Sequence, residues 1–179
     1  SPESSTFQLG VAAYLTTLNN GRIIHSFTAL IIAILMTTYN ILILNGPGLS
    51  GSALGEIEET CRQTCQQLDV GLDFRQSDDE TEITRWLEVN AQEFSGIVIS
   101  PVANIGAATF DFERLEAAIT SIAHLNIPII EVHLENIFLT GSNISAPLKV
   151  PESDAGFIAG LGIHGYLLAI QSLATKINI

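Results

Sequence analysis

Glu131 and His133 are the two residues of this 179-residue sequence best placed to do chemistry together. They close the run Ile127-Pro-Ile-Ile-Glu-Val-His133, whose apolar character predicts a buried strand with polar groups at its carboxyl end. Residues two apart on a strand share a face, so the carboxylate can orient the imidazole as a general acid. The competing reading is a hydrogen-bonded strand end kept for its packing. Two earlier apolar runs finish in the same manner. Ile41–Leu44 runs into Asn45-Gly-Pro-Gly48, and Ile97–Ile99 runs into Ser100-Pro101. In an open parallel sheet, ligands sit beyond the carboxyl ends of the strands where the strand order reverses. Three polar strand ends are therefore expected to meet at one crevice. Asn45 and Asn136, taken alone, read as turn-formers.

The elements that must position these residues follow from an alternation that starts at Tyr39. The pattern predicts strands near 40–44, 70–75, 96–99 and 127–132. It predicts helices near 53–68, from the Ser77-Asp78-Asp79-Glu80 cap cluster to about 92, and over 110–125. Glu56, Glu58 and Glu59 are placed near the start of the first helix, where its dipole favours acids. Gly71 weakens the second strand's pattern. A short extended piece is expected near 148–150. A last helix is expected from a cap at Ser153-Asp154 to about Thr175, with Gly156, Gly160, Gly162 and Gly165 inside it for close packing. Strands separated by such helices require an α/β, doubly wound parallel sheet of flavodoxin-like order in three α/β/α layers.

Composition narrows the classes of function. Hydrophobic residues are 47% and charged residues 15%, which excludes a disordered chain. Nineteen acids against seven Lys and Arg give a net charge of −12, which disfavours nucleic acid and an anionic membrane surface as partners. Cys61 and Cys65 have no further ligand nearby, so they read as reduced thiols on a packed helix face rather than a metal site. Nothing points to an oxidising compartment, and a cytoplasmic location is expected. His25, His124 and His164 are isolated and receive no chemistry. Residues 1–38 differ from the rest, with an apolar stretch at 23–36 shorter than the ~20 residues that span a bilayer. They are read as an appendage of open status, and the functional domain is expected to occupy 39–179.

Several blocks together resemble one family. Ile41-Leu-Ile-Leu-Asn-Gly-Pro47, Asp73-Phe-Arg-Gln-Ser77, Gly96-Ile-Val-Ile-Ser-Pro101, Ile127-Pro-Ile-Ile-Glu-Val-His133 and Gly156-Phe-Ile-Ala-Gly-Leu-Gly-Ile-His-Gly-Tyr166 are similar, in order, to type II 3-dehydroquinate dehydratases. The resemblance implies a flavodoxin-like subunit in trimers that build a dodecamer. It also implies a dehydration of 3-dehydroquinate that uses no cofactor and no metal. Such a reaction needs a base, a hold on the enolate and an acid, with acid or base help worth ~10²–10⁴-fold each. By the resemblance, Glu131 and His133 are the catalytic pair. Asn45, Gly48, Ser100, Leu134 and Glu135 fall at positions that bind substrate.

The departures from the family are as informative. Its lid tyrosine (the base) and lid arginine should follow Asn45-Gly46-Pro47, yet Gly48-Leu-Ser-Gly-Ser-Ala-Leu54 leads straight into a helix, and no Tyr or Arg occurs between Tyr39 and Arg62. Gly48 stands for an asparagine, Ser100-Pro101 for Asn-Pro, and Asn104–Ala107 for a Thr-His-Thr segment. Gln76-Ser-Asp-Asp79 stands for Gln-Ser-Asn-His. Downstream of His133, Phe138–Ile144 replaces substrate-contacting arginines. Glu135 takes the place of a serine beside the substrate carboxylate, where like charges repel by ~1 kcal/mol if solvated and by several if enclosed. The expectation is a homologue with its dehydratase activity lost or nearly lost, serving as a structural partner or small-molecule binder. The alternatives are an active dehydratase with a base from Tyr14, Tyr39 or a neighbouring subunit, and a crevice for a neutral or cationic metabolite.

Overall fold

The computed structural model describes residues 39–101, 111–138 and 156–177. Residues 1–38, Asn104–Ala107, the loop around 140–143, the extended piece expected at 148–150 and the cap expected at Ser153-Asp154 lie outside them. Five strands form one parallel sheet in the order β2-β1-β3-β4-β5. They are β1 (Asn40–Asn45), β2 (Gly71–Gln76), β3 (Gly96–Ser100), β4 (Ile129–His133) and β5 (Gly156–Ala159). The helices are α1 (Gly51–Gln67), α2 (Glu80–Asn90), α3 (Phe112–Ile122) and α4 (His164–Ile177). This is the flavodoxin-like order, and the direction of the strand order reverses between β1 and β3.

Burial explains why the strands read as continuous apolar runs. Ile41–Leu44 and Ile97–Ile99 are 0% exposed because helices cover both faces of the sheet. Alternate residues divide between two cores. Ile41, Ile43, Val98, Ile130 and Val132 join Ile57, Cys61 and Cys65 of α1 with Tyr166, Ala169, Ile170 and Leu173 of α4. Leu42, Leu44, Ile97, Ile99 and Ile129 join Ile83 and Leu87 of α2 with Leu115, Ala118 and Ile119 of α3. Asp79 caps α2 by accepting from the Thr81 amide, and Asp111 caps α3 by accepting from Arg114.

Two expectations need correction. Gly156–Ala159 is a strand, paired with β4 from Ile130↔Gly156 to His133↔Ala159. A helix there would have to run through Gly160 and Gly162, whose φ values of +80° and +54° break it. Only Gly165 of the late glycines lies in α4, where an added Cβ would come 3.1 Å from Val132. The first helix begins at Gly51, so its glutamates lie past the first turn, beyond most of the dipole's reach. Gly71 opens β2, and a Cβ there would fall 1.8 Å from the Asn40 side-chain oxygen, so that side chain would have to turn aside.

Cys61 and Cys65 are free and buried in the α1 core. Burial, helped by their mutual proximity, pushes the Cys61 thiol from 9.0 up to about 12, and burial pushes Cys65 up to about 11. A raised thiol pKa means the folded chain keeps protons that the unfolded chain releases. That stabilisation is complete below about pH 9 and drains away as pH rises through the folded values. The urea midpoint is therefore expected to hold steady from about pH 7 to 8.5 and to fall steadily above about pH 9. A flat midpoint across that upper range would count against buried, protonated thiols.

Candidate active site

The carboxyl ends of β1, β3 and β4 place Asn45, Ser100 and His133 on neighbouring strands, and the chain crosses there in tight contact. The Gly46 amide donates to the Ser100 carbonyl at 2.8 Å. Asn45, Ser100, Glu131 and His133 are all buried, with at most 3% exposure. The pleat then separates them. Asn45 and Ser100 share the parity of Ile41, Ile43 and Val98 and face α1 and α4. Glu131 and His133 share the parity of Ile129 and face the α2–α3 side.

On the α1–α4 side, Asn45 is fully committed to the frame. Its amide Nδ2 donates to the Arg75 carbonyl at 3.1 Å, and its Oδ1 accepts from the Tyr166 hydroxyl at 2.6 Å. One side chain thereby joins the ends of β1 and β2 to α4. Burial pushes the Tyr166 phenol above its ordinary range. Ser100 Oγ itself makes no hydrogen bond. Tyr166→Phe would leave the Asn45 oxygen buried without its donor. A loss of about 1–3 kcal/mol is expected, read as a lower urea midpoint at unchanged slope.

On the other side, His133 Nε2 lies 2.6 Å from Glu131 Oε1. A carboxylate oxygen accepts, so the contact is read with Nε2–H donating to Glu131. Nδ1 is buried and has no partner. The Phe157 ring packs at 5.7 Å from the imidazole, and Phe138, 64% exposed, meets Phe157 edge-on at 6.0 Å. The loop after β4 is tied down by backbone bonds. Gly160 N–H donates to the His133 carbonyl at 3.1 Å, and Gly162 N–H to the Leu134 carbonyl at 3.0 Å. Leu134 is half-buried, Glu135 is exposed, and Asn136 forms the expected turn by accepting from the Phe138 amide. Gly48 is exposed at φ +100°.

The geometry offers one proton-handling pair and one buried hydroxyl locked away from it. Tyr166 is the residue that sequence reasoning passed over. Its flanking apolar helix pattern signals burial, and a buried tyrosine hydroxyl needs a partner. That partner lies 121 residues earlier in the chain. Among the described residues no group of three His, Cys, Asp or Glu could hold a metal ion, and no helix is long and apolar enough to cross a membrane.

Comparison with known proteins bears on the family and the fold. The family model "Dehydroquinase class II" matches residues 39–174. The 3-dehydroquinate dehydratase of Mesorhizobium japonicum is 35% identical over 148 residues, covering 76% of this chain and 98% of that protein. That of Chelativorans is 34% identical over 146 residues, covering 75% and 96%. A solved 3-dehydroquinate dehydratase-like protein from Bifidobacterium longum superposes with a TM-score of 0.61 at 26% identity, covering 78% of this chain and 98% of that one. The type II dehydroquinase of Propionibacterium acnes gives 0.58 at 28%, covering 77% and 97%. With the parallel sheet, the strand-end pair and a match from the first residue of the regular alternation almost to the end of α4, the chain belongs to the class II dehydroquinase family.

Proposed function

We propose that this chain is a class II dehydroquinase homologue whose dehydratase activity is lost or nearly lost, and that it keeps the strand-end crevice and the capacity to assemble. One observation carries the reading. Only residues 46–50, Gly-Pro-Gly-Leu-Ser, separate β1 from α1, so the connection holds no phenol to take the proton and no guanidinium to keep a phenolate charged. Leu49 is buried in the α1–α4 core, which fastens this short connection down. Of the described tyrosines, Tyr39 precedes β1 at the amino end of the sheet. Tyr166 donates to Asn45 on the face away from His133, and its raised pKa makes it a poor base. Exposed Glu135, beside the expected carboxylate position, opposes an anionic substrate further. Glu131 and His133 then remain as a buried pair, with Gly48 and Leu134 at the strand ends beside it and Ser100 buried on the opposite face.

The intact Glu131–His133 contact favours a second reading, an active dehydratase whose base comes from Tyr14 or a neighbouring subunit. A spectrophotometric assay separates the two, because the dehydrated product absorbs in the ultraviolet. Incubation of the purified full chain with 3-dehydroquinate is expected to give no absorbance rise above the uncatalysed background. Turnover at ordinary enzyme rates, abolished by His133→Ala, would overturn the proposal and establish the second reading. The crevice's ligand class is open to a thermal-shift comparison. Neutral polyols or amines are expected to raise the melting temperature and carboxylates to leave it unchanged.

A further inference from the structure

We draw no further inference here: the strongest candidate, the row of rings on the β4–β5 face that runs from buried His133 through half-buried Phe157 to exposed Phe138, is an apolar face beside the site already described, and nothing among the described residues shows what covers it.

Discussion

Gly46→Ala is expected to cost more than about 4 kcal/mol, in the tail that point substitutions seldom reach. A Cβ on Gly46 would fall 1.8 Å from the carbonyl oxygen of Pro101 and 2.7 Å from its carbon. Overpacking costs ~1–3 kcal/mol when a side chain can yield, but here the obstacle is backbone. Nor can Gly46 move away freely, since its amide donates to the Ser100 carbonyl. The added methyl must push the ends of β1 and β3 apart, where the strand order reverses. Urea unfolding and the near-ultraviolet circular dichroism of Tyr166 should both report the damage. A loss below about 1 kcal/mol would mean that the two loops are not in contact.

That contact marks a boundary between what the sequence discloses and what it conceals. Apolar runs such as Ile41–Leu44 announce buried parallel strands, and the Ser77-Asp78-Asp79-Glu80 cluster announces a helix start, because both signals are local. The strand Gly156–Ala159 was hidden by its shortness. Four residues carrying one glycine have no period to read, and the helix that follows imposes its pattern on them. The need for glycine at position 46 is set by a loop some fifty residues later, which no local pattern encodes. The Asn45–Tyr166 bond is concealed for the same reason, across a still longer separation.

The candidate site was legible in its location and less so in its orientation. Polar residues at the ends of three apolar runs do lie side by side on β1, β3 and β4. What alternation decides is the face. Asn45 and Ser100 continue one parity, Glu131 and His133 the other, and a register shift of one residue would reverse either set. The outcome puts the buried phenol with the first set and the imidazole with the second. A chain without the lid cannot bridge the two through Tyr166, so the division of faces and the short 46–50 connection support the same reading.

His133→Leu is the second large effect expected, about 3 kcal/mol, because it takes a hydrogen-bond donor away from a buried carboxyl group. The pair is 1% and 4% exposed at its side chains, so water cannot replace the lost bond without opening the strand end. The double substitution Glu131→Leu/His133→Leu should recover most of that loss, since a buried hydrogen-bonded pair exchanged for apolar residues can be nearly neutral. The comparison also bears on function. If the pair survives only as a satisfied strand end, the double variant should fold and assemble as the wild type does and bind the same ligands. If the pair still handles a proton or a ligand hydroxyl, stability will recover while ligand-induced thermal shifts disappear. A single variant that loses less than about 1 kcal/mol would mean that Glu131 does not depend on the imidazole.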